Sequence, residues 1–165
     1  MPLTITSAAF APNGAMPIKH TCEAEDVSPV LTWTGAPAGT KSLAMIVDDP
    51  DAPDPAAPKR VYVHWVVYDM NPGSTGLAEG VKPSERPNGG RQGKNDGGTV
   101  GYMGPCPPIG RHRYFFKLYA LDTTLGDLGT ATKADVETAM RGHVLEQAEL
   151  VGTYQGADGP AKPRR

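Results

Sequence analysis

Apolar and polar residues alternate in short runs along this chain, and clusters of glycine, proline and other turn-forming residues separate the runs. Alternation with a period of two is typical of β-strands. Turn clusters rather than crossover helices join the runs, which favours a mainly β fold, an antiparallel β-sandwich. The predicted strands are Leu3–Phe10, Leu31–Gly35, Ser42–Asp49, Val61–Met70, Tyr114–Asp122 and Leu150–Tyr154.

The strand Val61–Met70 is apolar on both faces, which predicts that both faces are covered. Strict alternation assigns Val61, Val63, Trp65 and Val67 to one face, and Tyr62, His64, Val66 and Tyr68 to the other.

One helix is predicted near the C-terminal end of the chain. Thr132 can cap it, and Asp135 can complete an acidic variant of the capping box. Apolar residues then recur at steps of four, which is helical spacing and predicts a helix packed on the sheet by one face. They are Val136, Met140, Val144 and Ala148, and Ala139 and Leu145 widen the stripe.

The length of 165 residues is that of one ordinary domain, and 20 glycines and 17 prolines without a repeat indicate a turn-rich fold. We expect a single domain over residues 1–155 and a flexible tail over 156–165. The segment Pro72–Gly98 is predicted to be a loop, long enough to have a function of its own.

Charge and targeting signals exclude several classes of function. With 16 basic and 18 acidic residues the net charge is −2, so nothing indicates a nucleic-acid or anionic-membrane partner. The chain shows neither a secretory signal nor an apolar run long enough to span a membrane, which predicts a cytoplasmic protein. In that compartment Cys22 and Cys106 are expected to be free thiols.

A stretch rich in glycine and proline precedes the strand at Tyr114, and residues 101–122 read GYMGPCPPIGRHRYFFKLYALD. Proline fixes φ, and glycine permits positive φ or close approach of the backbone to a ligand. Such a stiff segment favours binding by preorganisation, so we interpret it as a pocket wall.

Four ionisable residues have the best claim to chemistry: Asp49, Asp51, His64 and His112. If both carboxylates project the same way, they can orient the two imidazoles. A carboxylate that accepts one imidazole N–H raises the imidazole pKa and leaves the other nitrogen to face a ligand. We therefore hypothesise a site that recognises an anion.

Three segments resemble the signature segments of the phosphatidylethanolamine-binding protein family, most closely its bacterial Raf-kinase-inhibitor-like branch. They are DPDAP at 49–53, HW at 64–65 and GYMGPCPPIGRHRYFF at 101–116. Similarity continues through DVSPVLTW, PAGTKSLA and HVLEQAELVGTY, so it covers nearly the whole chain.

The resemblance implies a β-sandwich with peripheral helices and a pocket for phosphate-like or carboxylate-like anions, in some relatives a phospholipid headgroup. It implies binding without catalysis, no cofactor, a cis Ala52–Pro53 bond and a possible homodimer. Kinase inhibition is not inherited, because no segment matches a kinase-contact surface, and a protein partner is unknown. The implied ligand-binding residues are Asp49, Asp51, His64, Tyr102, Gly104, Pro105, His112 and Tyr114.

The residues leave three alternatives open. Cys106, His112 and Asp49 could act as nucleophile, base and orienter of a hydrolase, although no nucleophile-elbow motif is present. The Asp/His set could bind a metal, although no metal-ligand spacing supports it. The Pro72–Gly98 loop could be a surface for protein partners. Structural roles are expected for His20 and His143, and a core role for Tyr114, Phe116 and Leu118.

Overall fold

The computed structural model describes residues 2–156 and is built almost entirely of β-strands. One α-helix is present among these residues, α1 (Lys133–Met140), together with short 3₁₀ helices at Ile18–His20 and Pro87–Gly89. The strands are β1 (Thr4–Thr6), β2 (Leu31–Thr34), β3 (Ser42–Ala52), β4 (Arg60–Met70), β5 (Gly76–Leu77), β6 (Arg91–Gln92), β7 (Arg111–Leu121) and β8 (Val144–Gln155).

Two antiparallel sheets form the sandwich that the sequence predicts. The small sheet has the order β1-β2-β5, and the large sheet has the order β6-β4-β3-β7-β8. The long strand β3 lies between β4 and β7. Because neighbouring strands run in opposite directions, the end of β3 meets the beginnings of β4 and β7 at one edge of the sheet.

The main core lies between the two sheets. Trp33 from the small sheet packs in one cluster with Trp65 of β4 and Phe116 of β7, and all three side chains are buried. Tyr114 and Leu118 belong to the same cluster, so the predicted core face of β7 is confirmed.

A second cluster covers the outer face of the large sheet, where Val66 and Tyr68 of β4 pack with Val136 and Met140 of α1. Val63 joins this cluster rather than the inter-sheet core. Its predicted place beside Trp65 was therefore wrong, because Val47 pairs with Trp65 and Asp48 with Val63. That register makes His64 the extra residue of a β-bulge, and a bulge shifts the alternation by one residue.

The predicted helix begins as expected but ends early. Thr132 and Asp135 form the reciprocal capping box, and α1 ends at Met140. Gly142 then takes a left-handed φ of 81°, and the following residues form β8. The helical prediction for Val144 and Ala148 was wrong, because β8 pairs with β7 from Val144 to Gln155, with one register shift, and this pairing overrides the local pattern.

The predicted loop over Pro72–Gly98 contains two short strands, β5 and β6, and a 3₁₀ helix. Only Gly156 of the predicted tail lies within the described residues. Over residues 2–156, none of the helices is both long and apolar enough to cross a membrane.

Candidate functional site

A pocket of about 150 Å³ opens at the edge where the end of β3 meets the beginnings of β4 and β7. The segment before β7 closes one side of it, as the rigid glycine and proline pattern indicated. The Ala52–Pro53 bond on its wall is cis, which confirms that prediction. The lining residues are Asp49, Ala52, Pro53, Arg60, Tyr62, Pro108 and His112.

A buried histidine–carboxylate pair lies at the wall of this pocket. Asp49 Oδ2 is 2.5 Å from His112 Nδ1, and the exposed fraction of each side chain is 1 %. The other imidazole nitrogen, His112 Nε2, is 2.8 Å from the carbonyl oxygen of Ile109. An ionised carboxylate and a carbonyl oxygen only accept hydrogen bonds, so with Asp49 ionised both contacts are hydrogen bonds only when both ring nitrogens carry hydrogen. The geometry is that of an imidazolium.

The electrostatic environment of His112 agrees with that protonation state. Burial alone would lower the pKa of His112, but the hydrogen bond and negative charge of Asp49, with the Ile109 carbonyl, outweigh burial and raise the pKa above its ordinary value. The predicted effect of a carboxylate on an imidazole therefore applies here. The second half of that hypothesis does not, because the Ile109 carbonyl occupies the nitrogen that was expected to face a ligand.

We expect the free energy of unfolding to fall as the pH rises from 6 through the pKa of folded His112. The raised pKa means that protonation stabilises the folded state fully below the unfolded value of about 6.5, and this stabilisation is lost above the folded value. Urea unfolding between pH 6 and pH 9 measures it. A His112→Asn variant should lose this component, and an unchanged slope in the variant would contradict the assignment.

Asp51 does not orient an imidazole, contrary to the hypothesis. Its two carboxylate oxygens accept hydrogen bonds from the Arg113 side chain at 2.9 and 3.0 Å. The Arg113 backbone N–H also donates to Asp51, at 2.9 Å. The hydrogen bond to the guanidinium is the main cause that lowers the pKa of Asp51, although burial opposes it. Asp51 therefore fixes the beginning of β7 to the end of β3.

His64, at the bulge in β4, is not among the residues that line the pocket but packs against Tyr62, which is. Its Nδ1 is 2.5 Å from the carbonyl oxygen of Met103. The imidazole packs between aromatic rings, with centroid distances of 5.1 Å to both Tyr62 and Tyr114. The ring of Tyr114 also stacks on His112 at 6.4 Å. The ring of Tyr114 therefore packs against both imidazoles.

Tyr102, Gly104 and Pro105 belong to the segment before β7 but are not among the residues that line the described pocket. The Tyr102 hydroxyl donates to the His20 carbonyl at 2.8 Å, and burial raises the pKa of Tyr102. Gly104 N–H donates to Asp26 Oδ1 at 2.8 Å. A Cβ on Gly104 would come within 2.1 Å of the His20 carbonyl, so this close backbone approach is to the protein itself. A ligand contact of these three residues stays a prediction.

Arg60 and Tyr62 line the pocket but were not predicted from the sequence as site residues. Arg60 donates to Asp96 Oδ2 at 3.1 Å, and its guanidinium lies 4.9 Å from the centroid of the Tyr62 ring. Asp96 is itself fixed, because its carboxylate accepts the Val63 N–H at 2.8 Å. Alternation placed Tyr62 on the face of His64, so a signal for Tyr62 was present in the sequence.

The two cysteines form a disulfide, so the prediction of free thiols was wrong. The Cα atoms of Cys22 and Cys106 are 5.4 Å apart although 84 positions separate them in sequence. Hydrogen bonds from Tyr102 and Gly104 hold the segment around residue 22 against the segment before β7, and only this packing brings the sulfurs together. A disulfide sulfur is not a thiolate nucleophile, which removes the basis for a Cys106 hydrolase.

The metal alternative gains nothing from the geometry. Asp51 binds Arg113, and both nitrogens of His112 already have oxygen partners. Over residues 2–156, no group of three or more His, Cys, Asp or Glu side chains is arranged to hold a metal ion.

The two antiparallel sheets form a β-sandwich of the phosphatidylethanolamine-binding type. The model of the phosphatidylethanolamine-binding protein family matches residues 6–155, and the chain belongs to this family, as the resemblance predicted. A UPF0098 protein from Methanothermobacter thermautotrophicus is 51 % identical over 154 residues, covering 93 % of this chain and 99 % of the relative.

Solved structures agree with the family assignment. A phosphatidylethanolamine-binding protein homologue from Chlamydia trachomatis superposes with a TM-score of 0.85 at 39 % identity, covering 94 % of this chain and 99 % of that one. E. coli YbcL, described as a new member of the mammalian family, gives a TM-score of 0.84 at 32 % identity, covering 95 % and 100 %.

Proposed function

We propose that this protein binds a small anionic group, a phosphate or the phosphoryl group of a larger ligand, without catalysing a reaction. The site is the pocket between Asp49, Arg60 and His112. The observation that carries the proposal is the Arg60 guanidinium at the pocket wall, beside a buried carboxylate that is already paired with His112.

The charges of the pocket are compatible with an anion despite the presence of Asp49. One oxygen of Asp49 contacts the His112 imidazolium, and the other accepts the Asp51 N–H at 2.7 Å. Each oxygen of the carboxylate therefore has a hydrogen-bond partner, and the imidazolium balances its charge. Arg60 has five N–H donors and gives one to Asp96 in a described hydrogen bond. Its guanidinium can donate further to phosphate oxygens, for which its planar geometry is well suited.

The size of the pocket limits the ligand and its affinity. A volume of about 150 Å³ suits a small polyatomic anion and not an acyl chain. For the five heavy atoms of phosphate, the best ligand efficiencies give about 7 kcal/mol of binding free energy. The dissociation constant should therefore be roughly micromolar at the tightest.

The hydrogen bonds of His112 support binding rather than catalysis. A general base needs a nitrogen lone pair within reach of the substrate. Both nitrogens of His112 face oxygens of the protein, so the imidazolium supplies charge and holds the Ile109 carbonyl in place. With Cys106 in a disulfide, a covalent route through its sulfur is not supported either.

We expect Arg60→Gln to weaken the binding of inorganic phosphate by about tenfold or more, because a hydrogen bond to a charged group contributes roughly 1.5–3 kcal/mol and about 1.4 kcal/mol corresponds to a factor of ten. Isothermal titration calorimetry at pH 7 measures it. Arg141→Gln is the matched control, since Arg141 is exposed at the end of α1 and is not among the residues that line the pocket. Equal losses in both variants would contradict a specific role of Arg60.

Titration with phosphorylethanolamine in parallel distinguishes two sources of the anion. A headgroup ligand should bind more tightly than inorganic phosphate, whereas a site for free phosphate should favour the smaller ion. Failure of both compounds to bind the wild-type protein at millimolar concentration would overturn the proposed function.

A further inference from the structure

One cysteine of the disulfide, Cys106, is close in sequence to residues that form the pocket wall. Cys106 stands between Pro105 and Pro107, two residues before Pro108, which lines the pocket. The next residue, Ile109, provides the carbonyl that accepts the hydrogen bond from His112 Nε2. We define residues 106–110 as the rim. It connects the disulfide at one end to the imidazolium site at the other.

The rim is fastened differently on its two sides. Upstream, hydrogen bonds hold the chain against the segment around Cys22: Gly104 N–H donates to Asp26, and Cys22 N–H donates to the Pro105 carbonyl at 3.1 Å. These hydrogen bonds hold Gly104 and Pro105. The disulfide adds a covalent attachment at Cys106, the first residue of the rim. Downstream, β7 begins at Arg111 and is paired with β8.

We propose that the Cys22–Cys106 disulfide is a redox switch for the anion pocket. In the oxidised protein both ends of the rim are anchored, so Pro108 and the Ile109 carbonyl are held in the geometry that forms the pocket wall. Reduction removes this covalent attachment and increases the conformational freedom of the rim, which a ligand must then restrict. The reduced protein binds the anion more weakly. This inference rests on the proposed function of the same pocket.

The chemistry requires a dithiol reductant. One of its thiolates attacks Cys22 Sγ, the S–S bond breaks, and Cys106 leaves as a thiolate that takes up a proton. The second thiol of the reductant then attacks the mixed disulfide, which releases Cys22 as a thiol. The dithiol loses two electrons and becomes a disulfide, and the protein disulfide gains these electrons and becomes two thiols. Attack at Cys22 is favoured because it is half-buried, whereas Cys106 is only 3 % exposed.

Reduction of the bridge depends on the cellular compartment and on the access of a reductant to the sulfurs. Disulfides persist in oxidising compartments, and cytosolic thiol systems reduce those that they can reach. Cys22 lies in a turn beside the exposed residues Ala24 and Glu25, so a reductant can approach it from solvent. In a cytoplasmic protein, as predicted from the sequence, the anion affinity of the pocket would depend on the redox state of the cell.

Calorimetry with inorganic phosphate tests the inference on oxidised wild type and on wild type reduced with dithiothreitol, with two thiols per chain verified by a thiol assay. We expect reduction to weaken binding by about tenfold. The Cys22→Ala/Cys106→Ala variant should match the reduced protein and ignore dithiothreitol. If the oxidised and reduced forms bind equally, the switch is overturned and the proposed function stands. If neither form binds, the proposed function fails, and the switch fails with it.

Amide hydrogen exchange separates a local effect on the rim from general unfolding. At a temperature where circular dichroism shows both forms folded, reduction should accelerate exchange at Ile109 and Gly110 more than at Phe116 in the core. Equal acceleration at all three positions would mean that the bridge stabilises the whole fold only, and would overturn the switch.

Discussion

Replacing both Cys22 and Cys106 by alanine is expected to lower the free energy of unfolding by about 4–5 kcal/mol, because the bridge closes a long loop in the unfolded chain. The two residues are separated by 84 positions, and the entropy lost by the unfolded chain grows with the logarithm of that separation. This is a large share of the stability of a domain of this size, which is typically 5–15 kcal/mol.

Urea unfolding at fixed temperature measures this loss. Wild type in dithiothreitol should unfold at the same urea concentration as the double variant, and dithiothreitol should not affect the variant. That agreement separates the cross-link from the side-chain substitutions. A difference in the free energy of unfolding below about 1 kcal/mol between oxidised and reduced wild type would contradict this prediction, since it lies at the low end of the range for disulfides.

The strands that the sequence predicted best are those whose pattern reflects a local requirement. The central strands β3 and β4 bury residues on both faces, and their apolar runs show this directly, whereas β7 alternates buried and more exposed positions as a strand with one core face does. The capping box at Thr132 is likewise a contact between residues three positions apart. Such features depend on neighbours in the chain, so alternation and spacing are sufficient to find them.

The errors arise where contacts between distant residues decide the structure. The bulge at His64 depends on the register between β3 and β4, which alternation within β4 cannot reveal. Val144 follows α1 at helical spacing but pairs with Leu121 of β7 instead. The disulfide required knowledge of how two loops pack, and the sequence contains only the two cysteines.

The candidate site shows the same division. The family motifs predicted that Asp49 and His112 lie in one pocket, and the structure shows which hydrogen bonds their side chains make. The Ile109 carbonyl, which occupies His112 Nε2, is a backbone group and has no signal in residue identity. Arg60 is equally hidden, because an arginine at the exposed beginning of a strand is ordinary in any sequence. Its relation to Tyr62 and Asp96 becomes visible only in three dimensions.

Replacing Asp49 by alanine is expected to lower the free energy of unfolding by about 3–5 kcal/mol near pH 6, the range for breaking a buried ion pair by removing one partner. The His112 imidazolium is 1 % exposed and cannot turn to solvent. Without Asp49 it must stay charged without a counterion or release its proton. If it releases its proton, one ring nitrogen no longer donates a hydrogen bond. Without the hydrogen bond and charge of Asp49, burial lowers the pKa of His112.

Asp48→Ala is the matched control for Asp49→Ala, since Asp48 is the preceding residue of β3 and is also 1 % exposed. Its partners are Lys117 at 3.2 Å and Lys133 at 2.8 Å, whose long side chains can reach water. Its loss should therefore cost less. The pH dependence adds a second distinction: the destabilisation by Asp49→Ala should be largest at pH 6 and shrink toward pH 9, because wild type loses its imidazolium as the pH rises. A constant difference across this range would show that Asp49 does not stabilise a charged His112.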